Sequence, residues 1–356
     1  MRHQRLLRDV GIAALAGLGS AMLFSRLSNA EVSARDNAYE QKTAHRSQQG
    51  ARAVTPTDIP VGGWADILRR TYYEVDRDRV RAVAAGVTFY ALLALFPALT
   101  AVVSIYGLVA EPSTIGEHIG VVAGFLPPGS SNFFRDQVTR ITEAGDAKLG
   151  FAFAFGLAVA IWSANAGIKA IFDALNVAYG EDEKRGFVRL NLISLGFTVG
   201  VLLFVLLALG AIAALPVLLD RLYLGSGAEL LISLARWPVL IFALMLGLSA
   251  LYRFGPSRDA AQWSWVSPGA VFASVGWLAA SLLLSWYVAN FEDYNKTYGA
   301  IGAVIGLLTW MWLSATIVLV GAELNSECER QTDRDTTKGP PMPIGMRGAD
   351  AADRKG

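Results

Sequence analysis

Asn165, Lys169, Asp173 and Asn176 sit inside the apolar run 149–178. At about 100° per residue their side chains fall within roughly 80° of arc on a helix, and Trp162 joins them. These residue types at this spacing can do three things. Lys169 and Asp173, four residues apart, can pair within the helix; the amides can hydrogen-bond a polar or anionic group; and Asp173 can exchange a proton. Burying an ionisable group in hydrocarbon costs about 2.5–3.5 kcal/mol on insertion scales, so such a face turns to protein or water. It is therefore either a functional surface or a helix end, with Lys169 snorkelling to the interface and Asn176 and Tyr179-Gly180 closing the last turn. Asn165 discriminates best, because it lies deepest. Arg253, Glu323 and Asn325, at the corresponding ends of later apolar runs, complete a candidate inward-open vestibule for a polar or anionic headgroup.

The elements that must position these residues follow from composition. The 356-residue chain is 53% hydrophobic and 17% charged, with mean hydropathy +0.40, whereas soluble domains carry about 25% charged residues. Six runs are long enough to cross a bilayer as helices, at 83–109, 149–172, 192–219, 237–252, 266–289 and 300–322. The fourth can also begin earlier, at Leu230. The predicted fold class is all-α: a polytopic integral membrane protein with a six-helix core and amphipathic interfacial helices.

Orientation follows from the flanking cations, which are held on the cytoplasmic side. Thirteen Lys and Arg flank the first, second, fourth and sixth spans on one side, among them Arg69, Arg70, Lys184, Arg185, Arg258 and Arg330; six flank the other connections. Both ends of the core are predicted to be cytoplasmic. The weaker apolar segment 10–24 fits an interfacial helix, a spanning anchor or a cleaved signal. Residues 31–61 read as a flexible linker.

Chemistry of other kinds finds little support. A net charge of +1 argues against a nucleic-acid binder. The single Cys328 excludes an internal disulfide framework, and His3, His45 and His118 follow no metal-ligand spacing. No GxxxxGK[ST] sequence is present, which argues against direct ATP coupling. The spans hold no set of acid and base groups for hydrolysing RNA, and Glu181-Asp182-Glu183 reads as a solvated turn. The expectation is no catalytic residues, no metal and no cofactor.

From Trp64 the chain shows a cationic amphipathic pattern, with Trp64, Ile67, Leu68, Thr71, Tyr72 and Val75 on one face. It fits an interfacial anchor, or an Arg cluster that reads lipid headgroups. The connection 110–148 suggests two short amphipathic helices broken at Pro127-Pro128-Gly129. Gly196 and Gly200, Gly269 and Ala273, and Gly299, Gly302 and Gly306 mark places for close helix packing. Pro97 and Pro216 can kink their helices. Tyr294, Asn295, Tyr298 and Gly299 suit a turn into the sixth span.

Several local sequences together resemble the YihY/BrkB membrane proteins: Phe89-Tyr90-Ala91-Leu92-Leu93-Ala94-Leu95-Phe96-Pro97, Trp162-Ser163, Ala174-Leu175-Asn176, Leu251-Tyr252-Arg253 with Gly255-Pro256, Pro268-Gly269-Ala270, Tyr294-Asn295 and Gly321-Ala322-Glu323-Leu324-Asn325. The resemblance covers residues 64–328, leaving an N-terminal extension, 1–63, and a polar tail, 329–356, predicted to be disordered and cytoplasmic. It implies a six-helix inner-membrane protein of poorly defined activity, in a family that carries ribonuclease BN and virulence labels. The expected role is a transporter or translocator of a polar solute or lipid, with membrane lipids as partners. A non-transport envelope scaffold is the alternative, and a membrane-bound ribonuclease a distant third.

Overall fold

The computed structural model describes residues 50–109, 151–210, 226–290 and 292–354. Eight α-helices occur among them, and no strand: α1 (Val61–Arg77), α2 (Val80–Val109), α3 (Phe151–Tyr179), α4 (Phe187–Leu209), α5 (Ser226–Phe254), α6 (Trp263–Asn290), α7 (Glu292–Gln331) and α8 (Asp350–Asp353). Helices α2 to α7 are each long and apolar enough to cross a membrane. The 10–24 segment, the two helices expected in 110–148, and Pro216 lie outside the described residues.

The helices are longer than the apolar runs, because backbone hydrogen bonding continues past the hydrocarbon into flanks that are still good helix formers. Helix α3 runs on to Tyr179 and stops at Gly180, which adopts a left-handed φ of 66° while Glu181 N–H donates to the Asn176 carbonyl at 2.8 Å. Helix α5 begins at Ser226, ahead of its apolar stretch Trp237–Phe254. Helix α7 begins at Glu292, so 294–299 is helical backbone where a turn was expected.

Helix α7 is the axis of the bundle. It touches α1, α2, α3, α6 and α8, while α2 packs most extensively on α3 and α6 on α7. Close backbone approach explains α6 on α7: a Cβ on Gly269 would overlap the Gly321 carbonyl, and one on Gly321 would lie 2.8 Å from the Gly269 carbonyl. Pro268 cannot donate to Ser264, and the Ser267 hydroxyl takes that carbonyl at 2.7 Å. Gly196 and Gly200, by contrast, face open space. Their expected role in helix packing is corrected: smooth spacing permits an interface without supplying a partner.

The main core lies at one end, where α3, α5, α6 and α7 converge, around Phe172, Leu175, Tyr179, Tyr252 and Val266. A smaller cluster of Ala101, Val102, Ala160 and Leu202 ties α2, α3 and α4. Helix α1 caps the first end, its Ile67 buried with Trp265, Leu324 and Cys328. The α1 cations are only partly available to lipid. Arg70 is taken by Glu327 at 2.5 Å and Gln331 at 2.6 Å, whereas Arg69 and Arg77 are exposed.

Two expectations of disorder are corrected. Residues 50–60 fold onto the core, with Ala51, Ala53 and Ile59 buried and the Thr332 hydroxyl donating to the Ala53 carbonyl at 2.7 Å. The polar tail after 329 crosses the same end. Asp259 N–H donates to Gly348 and Lys338 N–H to Ala260, Asp350 N–H donates to Glu181 at 2.6 Å, and Arg347 donates to the carbonyls of Asp333 and Ala352, each at 2.8 Å. Low hydrophobicity argues for disorder only when nothing pairs with the backbone; here the loop ends of the core do.

Candidate functional site

The stripe on α3 straddles the helix's burial boundary. In order of angle from Asn165, the side chains are Asn165, 1% exposed, Asn176, 5%, Lys169, half-buried, and Trp162, 51% exposed, followed by exposed Asp173. The predicted set therefore divides into three groups, and the structure does not bring them into one vestibule.

The outer group is exposed Trp162 and Asp173 with half-buried Lys169. Lys169 Nζ lies 5.5 Å from the Trp162 ring centroid, within cation–π range. Among the described residues no ion pair joins Lys169 to Asp173, although the spacing permits one.

The second group lies deep between α3 and α4. Asn165 Oδ1 accepts from the Thr198 hydroxyl at 3.1 Å, while its buried Nδ2 has no partner. Asn191 and Ser194 continue the seam along α4. Asn191 Nδ2 donates to the Phe187 carbonyl at 2.7 Å and leaves its Oδ1 unpaired. Polar residues at 191, 194 and 198 share a helix face, a spacing visible in the sequence.

The third group closes the end where the core lies. Asn176 joins two loops: its Oδ1 accepts from Ser257 N–H at 2.7 Å and its Nδ2 donates to Glu183 at 3.2 Å. Arg185 clamps Glu183 through Nη2 at 2.6 Å and also donates to the Gly255 carbonyl at 2.8 Å. That guanidinium holds the Glu183 carboxyl at about 2, well below the usual carboxylate range, against a smaller opposing effect of burial. The hydrogen bond from Lys184 to Glu181 pushes the ammonium up.

Arg253 donates to the Ala261 carbonyl, its guanidinium 4.6 Å from the Trp263 ring centroid. Asn325 mends α6 next to Pro268, accepting from Gly269 N–H at 2.7 Å and donating to the Val266 carbonyl at 3.2 Å. Glu323 is buried on α7, with Oε1 unpartnered. These residues are walled in rather than lining an open mouth, which corrects the vestibule expectation. The physical reason is the folded tail and loops, whose donors and acceptors were assigned to solvent.

No spacing in the chain marks the most deeply buried ion pair among the described residues. Arg258 and Glu329 meet at 2.7 Å with both side chains fully buried; Thr336 donates to Glu329 at 2.6 Å, and the Arg258 guanidinium stacks 4.6 Å from the Tyr179 ring centroid. Burial works against the charged guanidinium and is the largest single influence, but the charge and hydrogen bond of Glu329 together with Tyr179 and Glu181 outweigh it, and Arg258 is raised above its ordinary value. Among the described residues, no group of three or more His, Cys, Asp and Glu is placed to hold a metal ion.

Comparison with known proteins places this architecture. The family model described as Virulence factor BrkB matches residues 71–344, which extends past 328 into the folded tail. The chain is 32% identical over 252 residues to a Bacillus subtilis protein named putative ribonuclease-like protein YfkH, covering 68% of this chain and 88% of that one. A UPF0761 membrane protein of Neisseria meningitidis serogroup B is 29% identical over 261 residues, 70% of this chain and 60% of its own. One from Albidiferax ferrireducens is 27% identical over 282 residues, 75% and 62% respectively. The chain thus spans about three fifths of these UPF0761 relatives. No solved structure matches. An all-helical bundle of six apolar helices, matched over most of its length by the BrkB model, identifies the chain as a member of the BrkB family of membrane proteins.

Proposed function

We propose that this protein is a translocator of a polar solute or lipid in the bacterial inner membrane, with both core ends cytoplasmic. The observation that carries the reading is α3, which buries Asn165 with an unpaired amide donor against Thr198 and presents Lys169 and Asp173 on the adjoining flank. A helix packed only for stability has no need of either feature, because polar groups at membrane depth are costly and usually serve a pathway. The polar end supplies closure. The thirteen cations that flank the spans on one side, against six on the other, support the cytoplasmic orientation.

The test is purified protein in liposomes, assayed for movement of labelled phospholipids and of small polar solutes. The expected result is movement of one class, reduced by Asn165→Leu and by Lys169→Gln. No movement of any class, with a stable partner in pull-downs, overturns it in favour of an envelope scaffold. The printed name of the Bacillus relative supplies the other competitor; RNA cleavage that survives repurification and is lost in no transport variant would favour that reading.

A further inference from the structure

We propose that the outer flank of α3 carries a site for the headgroup of a zwitterionic, amine-bearing phospholipid, with Lys169 taking the phosphate and Asp173 the ammonium. The site rests on the translocation reading and deepens it by naming a lipid as the substrate class. Both residues lie inside the stretch of α3 that is apolar enough to cross a membrane, Ala154–Tyr179. Asp173 is exposed and Lys169 half-buried, so this flank looks outward from the bundle while Asn165 and Asn176 look inward.

Among the described residues neither charge is answered within the protein. Lys169 Nζ has the Trp162 ring, its centroid at 5.5 Å, and neither side chain enters an ion pair. Direction keeps them from pairing with each other: long side chains on a helix lean toward its N-terminus, which carries the Lys169 ammonium back toward Trp162 and away from Asp173. The cations that follow the helix are committed elsewhere, Lys184 to Glu181 at 2.8 Å and Arg185 to Glu183 at 2.6 Å. Charged groups in membrane-spanning helices ordinarily face the bundle interior and pair there. Two of opposite sign on an outward flank call for a partner that the bilayer itself can bring.

The order of the charges selects the headgroup. Four residues of helix separate them by about 6 Å along the axis, with Asp173 about 9 Å and Lys169 about 15 Å short of Tyr179. The anion is thus nearer the polar end, where α3 leaves the bilayer, and the cation is deeper. In a leaflet of such a phospholipid the amine stands nearest water, the phosphate beneath it and the acyl chains deeper still. Asp173 meets the first of these and Lys169 the second. Exposed Trp162 and Val159, farther from the polar end on the same flank, present apolar surface to the third. A headgroup with a phosphate and no amine would be repelled by Asp173, and a soluble anion would have no use for the apolar surface.

Binding is measured apart from movement, so the site and the translocation reading can fail separately. The experiment is photo-crosslinking of the whole protein in phosphatidylcholine liposomes, with tracer phosphatidylethanolamine or phosphatidylglycerol bearing the same diazirine acyl chain, followed by mapping of the labelled peptide. Phosphatidylethanolamine is expected to label the 154–179 segment roughly threefold more than phosphatidylglycerol does, the size of effect that suits a partly exposed charge pair. Lys169→Gln should lower labelling by both lipids, Asp173→Asn should abolish the preference, and Asp173→Lys should reverse it. A reversal is a gain that misfolding cannot produce. Equal labelling by the two lipids in wild type means annular lipid only and overturns the site. A preference that survives Asp173→Asn, or crosslinks that join the flanks of two copies in place of lipid, overturns it as well. Selective labelling without flux upholds the site and removes translocation, whereas solute flux with unselective labelling removes the site alone.

Discussion

At the polar end of the bundle Trp265, Tyr179, Tyr252 and Phe172 are wholly buried beside Glu323, Asn325 and the Arg258–Glu329 pair. Farther along the same helices Phe242, Leu282, Leu283, Trp286 and Val304 stand exposed. In water such exposure would be a defect; in hydrocarbon it costs nothing, since lipid tails are as apolar as the side chains. Apolar burial therefore cannot hold the lipid-facing half together as it holds a soluble core. The specific three-dimensional arrangement is fixed where polar groups leave the bilayer and can find partners, and the contrast predicts that substitutions there will have the larger effects.

The sharpest way to break that contrast is to cut the buried ion pair. Arg258→Met strands the Glu329 carboxylate and should destabilise the protein by about 3–5 kcal/mol, whereas the double variant Arg258→Met/Glu329→Leu should recover most of the loss. Denaturant unfolding in detergent micelles measures both. Equal losses in single and double variants would show that shape, and not charge, holds this end.

Next in size is the α6–α7 crossing. Gly269→Val drives a branched side chain into the Gly321 carbonyl and the Asn325 amide, and about 3 kcal/mol is expected, the upper part of the usual range for overpacking. Gly196→Ala on α4 faces open space and should be neutral or slightly stabilising through helix propensity. A similar response at both glycines would erase the difference between the two regions.

A smaller effect depends on pH. Glu183 is depressed by Arg185 to about 2 from an ordinary 4.5, so its contribution is present above its unfolded value and lost as pH falls toward the folded one. The loss should be on the order of 1.5 kcal/mol, typical of a hydrogen bond to a charged group, and should appear as a drop in unfolding temperature below pH 4.5 that Glu183→Gln abolishes.

The bundle was largely legible in sequence because apolar length and flanking cations are local properties. Even so, Glu183 and Asn176 show where legibility ended. Asn176 was recognised as a motif residue, but its partners Ser257 and Glu183 lie on separate loops, and no spacing rule links residues 81 apart in the chain. The tail failed for the same reason: Arg347 reads as a solvated cation until the carbonyls of Asp333, Arg334, Met342 and Ala352 surround it. On α3 the period of the stripe was right and the burial boundary running through it was not, because that boundary is set by where α4 lies. Thr198 could have marked it, being one of three polar residues on one face of an otherwise apolar helix.

The smallest stability effects are expected on that stripe, and they are the most informative for function. Trp162→Leu, Lys169→Gln and Asp173→Asn alter exposed or half-buried side chains and should each change stability by no more than about 0.5 kcal/mol. Asn165→Leu removes the hydrogen bond from Thr198 together with a buried donor that has no partner. The two changes oppose each other, and about 1 kcal/mol or less is expected. If α3 lines a route, Asn165→Leu and Lys169→Gln lower flux by more than their small shifts in unfolding midpoint account for, while Trp162→Leu, one turn farther from the polar end, has the weaker effect. If all four variants move flux only in proportion to lost stability, α3 is a packing helix. The unpaired amide of Asn165 would then be a tolerated cost of joining α3 to α4, and the polar end would be the part of the molecule left to explain its activity.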